Sequence, residues 1–117
     1  MARFEILHNP RCGKSRQTLA RLTDAGVEPT IVEYLAHPPT AARLREILTL
    51  LGFDDPRALM RTKEPIYAEL GLAKVTDPKK LVAAMVAHPI LIERPIVIKD
   101  GKRAVLGRPP ENVDALL

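Results

Sequence analysis

Two apolar runs, Phe4-Glu5-Ile6-Leu7 and Thr30-Ile31-Val32-Glu33-Tyr34, flank a stretch from Lys14 to Ala25 whose Leu19 and Leu22 share one helical face. Asn9-Pro10 breaks the chain before this helix and Gly26 stops it. Strand, helix and strand within about 30 residues make a βαβ unit, which requires a parallel strand pair and a long crossover. That requirement removes most all-α and all-β folds at once.

The remainder extends the pattern. Thr40 can cap a helix whose apolar set is Leu44, Ile47, Leu48 and Leu51, the i, i+3, i+4, i+7 spacing of an amphipathic helix. Short helical pieces are expected at Ala58 to Met60 and Ile66 to Leu70. Asp77-Pro78 starts a further helix with Leu81, Val82, Met85 and Val86 inward, stopped at His88-Pro89. Pro95 to Ile98 and Ala104 to Leu106 flank an Asp100-Gly101 pair, a hairpin signal that makes these strands antiparallel. A short helix carrying Val113, Leu116 and Leu117 closes the chain. The expected fold is α/β: a four-stranded mixed sheet, βαβ then ββα in the thioredoxin-like order, with a helical insertion between the halves. One domain over residues 1–117 is expected.

Composition narrows the function classes. With no Trp, two Phe and two Tyr, the chain lacks the rings a stacking platform for single-stranded nucleic acid needs. The net charge of +4 is spread along the chain, so a small anionic substrate suits it and nucleic acid is not expected. No apolar run approaches a membrane span and no signal-peptide core is seen, so a cytoplasmic protein is expected, with no membrane partner. One cysteine excludes an intrachain disulfide. His8, His37 and His88 lie far apart, so no metal site is expected.

That cysteine, Cys12, stands at the joint between the first strand and first helix, among His, Asn, Arg, Gly, Lys and Ser. Backbone N–H groups at a helix start favour an anion there. An unperturbed thiol is only ~3% thiolate at neutral pH, so such a position matters, and Cys12 reads as a nucleophile. Arg11, Lys14 and Arg16 add positive charge. His8 acts either as a further cation or as a cap for the local turn. Ser15 is either the hydrogen-bond partner of the sulfur or a solvent-facing helix residue. Arg61, Arg94 and Arg108 are candidate oxyanion ligands. The last two each precede a proline at an element boundary, and a guanidinium fork matches an oxyanion.

Three motif readings fail. Gly13-Lys14-Ser15 resembles the end of a P-loop, but the first glycine would fall on His8. A Cys-x5-Arg phosphatase loop would need arginine where Thr18 stands. A Cys-x-x-Cys pair is broken by Ser15, so any disulfide must involve an external thiol.

His8-Asn9-Pro10-x-Cys12-x-x-Ser15-Arg16, Glu28-Pro29-Thr30, Tyr34-Leu35, Leu59-x-Arg61, Glu69-Leu70-Gly71-Leu72, His88-Pro89-Ile90-Leu91-Ile92 and Arg94-Pro95-Ile96-Val97 together resemble the glutaredoxin-coupled arsenate reductase family. The match runs in order along nearly the whole chain. Arg11, Lys63-Glu64 and the Gly107-Arg108-Pro109-Pro110-Glu111 ending are most similar to a short branch of it. The resemblance implies a thioredoxin-like fold, a cysteine that attacks arsenate, a histidine near it (His8), and an anion site of Arg61, Arg94 and Arg108. It implies glutathione as co-substrate and glutaredoxin as partner, with no tightly bound cofactor. A monomer is expected. The implied fold also places a cis-proline just before the third strand, so Arg94-Pro95 is expected to be cis and to face Cys12. On that basis Arg94 binds substrate and leaves alkylation of Cys12 unaffected.

Two other readings share the fold. One is a reductase of another oxyanion or of a glutathione mixed disulfide by the same thiol. The other is a non-catalytic regulator of the Spx type that binds RNA polymerase, for which the three arginines would lack a purpose.

Overall fold

The computed structural model describes residues 2–117. Strand β1 (Phe4–Leu7) pairs in parallel with β2 (Thr30–Val32) and antiparallel with β3 (Ile96–Lys99), which pairs antiparallel with β4 (Arg103–Leu106). The order β2-β1-β3-β4 is the four-stranded mixed sheet expected from the sequence. Ile6 sits opposite both Ile31 and Val97, and Leu7 opposite Val32 and Ile96. β1 and β3 are the interior strands; Ile6, Leu7, Ile96, Val97 and Ile98 are buried and Phe4 is half-buried.

The chain divides into two compact units, one formed by the residues up to His37 together with Arg94–Leu117, the other by Pro38–Glu93. In the first, helix α1 (Gly13–Asp24) packs Leu22 against Ile6, Val97, Val113 and Leu116, with Phe4, Leu19, Val27 and Val105 around them. Each fully buried aliphatic side chain there contributes about 1.5–3 kcal/mol. α1 ends because Gly26 takes φ 82°, which lets Gly26 N–H reach Thr23 O at 3.0 Å and Val27 N–H reach Leu22 O at 2.9 Å. The hairpin turn holds Asp100 at φ 55°, and Asp100 and Arg3 exchange two hydrogen bonds of 2.7 Å that prolong the β1–β3 pairing. The closing segment Pro110–Leu116 is a 3-10 helix, with Val113 and Leu116 buried and Leu117 exposed.

The second unit is helical, as the insertion was expected to be. Helix α2 (Ala41–Leu51) is capped by Thr40, whose Oγ1 accepts from Arg43 N–H at 3.1 Å, and buries Leu44, Ile47 and Leu48. Helix α4 (Pro78–Ala87), capped by Asp77, buries Leu81, Val82 and Met85. Between them lie a 3-10 turn (Pro56–Leu59) and the short helix α3 (Pro65–Glu69). Arg57 ties these pieces together: its guanidinium donates to Tyr67 Oη at 3.1 Å, to Leu72 O at 2.6 Å, and to the Val75 carbonyl. Residues 59–61 and 91–93 pair as a single antiparallel bridge at Met60 and Ile92, flanked by two 2.7 Å hydrogen bonds.

Several expected boundaries shift. The second strand stops at Val32, and Tyr34 turns into the interior, 1% exposed. Leu51 and Val86, at helix margins, are only half-buried.

Candidate active site

Cys12 occupies the N-cap position of α1 in extended conformation (φ −95°, ψ 122°), so its side chain stands over the first turn of the helix. The loop before it is folded by its own polar groups. Asn9 O accepts from Cys12 N–H at 3.0 Å and Asn9 Oδ1 accepts from Arg11 N–H at 3.0 Å, an Asx turn. Arg16 Nη1 donates to Pro10 O at 2.9 Å. His8 N–H donates to Val32 O at 2.8 Å, which anchors the start of the loop to β2.

Cys12 is 9% exposed. Burial alone pushes its thiol up, but the Ser15 N–H, the hydrogen bond and charge of the Arg94 guanidinium, and the Lys14 N–H outweigh it, and the thiol lies below its ordinary range. Two backbone N–H groups on α1 and a guanidinium from the segment entering β3 therefore favour the thiolate.

Ser15 is fully buried, and its hydroxyl is engaged away from the sulfur. Ser15 Oγ accepts from Asn9 N–H at 3.1 Å and pairs with His8 Nδ1 at 2.7 Å. Ser15 is a hydrogen-bond partner of the sulfur through its backbone N–H and not its hydroxyl, and it is buried where the other sequence reading had it facing solvent. His8 is buried as well. Burial drives its pKa below the ordinary value, Glu33 opposes this and Arg16 adds to it, so His8 is neutral at neutral pH. Of its two expected roles, the structure favours the local hydrogen-bonding one.

Arg94 is half-buried, its Nε is enclosed without a hydrogen-bond partner, and its peptide bond to Pro95 is cis as expected. The Arg94 guanidinium lowers the Cys12 thiol by hydrogen bonding and by charge. This revises the expectation that it leaves the thiol untouched. Arg108 is exposed, and its Nη1 lies 3.4 Å from Arg94 O. The Arg108-Pro109 bond is also cis, which the sequence reading missed. Arg61 belongs to the helical unit: its Nη2 pairs with Glu64 Oε1 at 3.0 Å and its Nε is buried without a hydrogen-bond partner. Among the described residues, no group of three or more His, Cys, Asp or Glu is arranged to hold a metal, and no helix is long and apolar enough to cross a membrane.

A thiol at a helix N-cap with a guanidinium beside it can attack an electrophilic, oxygen-rich centre and offset the charge that develops on it. Known proteins carry the same arrangement of chain. The chain is 53% identical over 110 residues to an uncharacterized protein, YfgD, of Escherichia coli, covering 93% of this chain and 92% of that one. It is 45% identical over 118 residues to an arsenate reductase of Neisseria meningitidis, covering the full length of both. The structure of an arsenate reductase from Vibrio cholerae superposes with a TM-score of 0.93 at 45% identity, over 97% of each chain. The family model described as the ArsC family matches residues 7–116, a span that takes in the Cys12 loop, both Arg-Pro pairs and the helical insertion, and this chain belongs to that family.

Proposed function

We propose that this protein reduces arsenate to arsenite through the Cys12 thiolate, with glutathione and glutaredoxin returning the enzyme to its starting state. The observation that carries the reading is the Arg94 guanidinium set against a Cys12 sulfur that already receives the N–H groups of Ser15 and Lys14. Family membership and the named relatives support it.

Arsenate is a largely doubly charged tetrahedral oxyanion at neutral pH. Arg94 and Arg108 supply permanent positive charge in the sheet unit, and the family resemblance adds Arg61. The Cys12 thiolate attacks arsenic, an S–As bond forms, an As–O bond breaks, and the oxygen leaves as water after taking up protons. The thiolate of glutathione then attacks the Cys12 sulfur. The S–As bond breaks, its electron pair stays on arsenic as arsenite forms, and a Cys12–glutathione disulfide remains. A glutaredoxin thiolate cleaves that disulfide and frees Cys12. With a single cysteine, Cys12 depends on an external thiol for this last step. The scheme requires no resident cofactor. A monomer in the reducing cytoplasm is the setting it fits.

Arsenate-dependent oxidation of NADPH, coupled through glutathione reductase, glutathione and glutaredoxin, tests the reading. Turnover that requires all three components supports it. Absence of turnover with arsenate, together with turnover of another oxyanion or of a glutathionylated peptide, replaces the substrate while keeping the thiol. No turnover of any of these, with RNA polymerase binding instead, replaces the enzyme reading.

A further inference from the structure

Thr18 is a fully buried polar residue one turn beyond Ser15 on α1. Its Oγ1 hydrogen is shared between Lys14 O, at 2.9 Å, and Gly107 O, at 3.3 Å. Gly107 N–H in turn donates to Pro95 O at 2.8 Å. A Cβ placed on Gly107 would stand 2.6 Å from Thr18 Oγ1 and 2.8 Å from Pro95 Cγ, closer than real Cβ contacts come. Neither neighbour is the free end of a flexible side chain: one is a buried β-branched group and the other a closed ring. So α1 and the Arg94-Pro95 segment meet across position 107 with no room for a side chain. The same two segments meet a second time at the sulfur, where Lys14 N–H and the Arg94 guanidinium both face Cys12.

We propose that Thr18 and Gly107 are positioning residues whose contact sets the separation between the first turns of α1 and the Arg94-Pro95 segment, and so sets the reach of the Arg94 guanidinium to the Cys12 sulfur. The inference rests on Cys12 and Arg94 as the reactive pair and is independent of which oxyanion they serve. The groups facing the sulfur are the Ser15 and Lys14 N–H from α1 and Arg94 from the β3 side, with His8 held beside Ser15. Substitution at 18 or 107 adds or removes no charge. A change in thiol titration in such variants therefore reports displacement.

The test is the pH dependence of Cys12 alkylation by iodoacetamide, a neutral reagent, in the full chain. Arg94→Ala is expected to move the profile to higher pH and slow alkylation at neutral pH by about 3-fold or more. Gly107→Ala and Thr18→Val are expected to move it the same way, while Thr18→Ser, which keeps the hydroxyl, retains the original profile. Adding Arg94→Ala to Gly107→Ala is expected to produce no further shift, because the guanidinium has already lost its reach. Profiles of Gly107→Ala and Thr18→Val that superimpose on the parent, with Arg94→Ala shifted, overturn the inference and leave the reactive pair standing. A full Arg94→Ala shift on top of Gly107→Ala overturns it too. Should Gly107→Ala not fold, the Thr18→Val and Thr18→Ser pair decides alone. An Arg94→Ala profile identical to the parent removes the reactive pair and the inference together. A lowered melting temperature without a moved profile marks a merely structural contact and also overturns it.

Discussion

Ser15 Oγ lies 2.7 Å from His8 Nδ1, with both side chains buried. Ser15 Oγ already accepts from Asn9 N–H, so its own hydrogen is free to point at His8 Nδ1. Burial holds His8 below its ordinary pKa and so favours the neutral ring, with which the hydroxyl can pair at Nδ1 in either tautomer. The pair links β1, the Cys12 loop and α1 through one hydroxyl.

Ser15→Ala leaves His8 Nδ1 and Asn9 N–H without their partner. The expected cost is about 1–3 kcal/mol, measured by urea denaturation. The alkylation profile of Cys12 should stay close to the parent, because the group Ser15 offers the sulfur is its N–H. A large upward shift in thiol pKa would show that the hydroxyl reaches the sulfur after all.

His8 also sets a sign for stability against pH. Its pKa in the folded protein lies below the ordinary 6.5, so the unfolded chain binds the proton first as pH falls. Stability is therefore full above about 6.5 and declines as pH drops through the folded-state value. Melting temperatures of the parent minus those of His8→Asn, followed from pH 8 to pH 5, should show this decline. A flat difference would mean that His8 titrates alike in both states.

Cys12→Ser should abolish turnover and alkylation, since a hydroxyl of far higher pKa cannot take the thiolate's place. Because Arg94 faces the sulfur, Arg94→Ala should both weaken oxyanion binding and raise the thiol pKa. A loss confined to KM, with the thiol titration unmoved, would return Arg94 to substrate binding alone.

Within the helical unit, Arg57→Ala removes the guanidinium that joins Tyr67 Oη, Leu72 O and the Val75 carbonyl. We expect a loss of about 2–4 kcal/mol in denaturant unfolding, with Cys12 alkylation of the folded protein unchanged. A loss below about 0.5 kcal/mol would class the contacts with ordinary surface interactions.

The elements that local sequence specifies most strongly were legible. The β-branched runs, the Leu19 and Leu22 face, the Thr40 and Asp77 caps and the Asp100-Gly101 turn each determine their structure within a few residues. β propensity continues through Tyr34, yet the strand ends at Val32 and the Tyr34 ring is buried beyond it. The bridge at Met60 and Ile92 left no such signal, since its halves lie some 30 residues apart and each has a single paired residue. At the site, Cys12 and the Arg-Pro pairs stood out by their neighbours. Thr18 and Gly107 did not, because a threonine inside a helix and a glycine after a strand are common, and only their meeting makes them unusual.

By itself the sequence determined which residues are candidates for the chemistry and which local structure each sits in: a lone thiol at a helix start, guanidinium groups at element boundaries, a βαβ unit followed by a hairpin. Hydrophobic periodicity, caps and turn residues act over a few positions and can be read without knowing the fold. Only the tertiary structure decided which groups touch. It turned the Ser15 hydroxyl to His8 and left its N–H for the sulfur, kept His8 neutral by burial, and brought Arg94 against Cys12 across 82 residues of chain. Those outcomes depend on the distance and dielectric between groups far apart in sequence, and packing alone sets both.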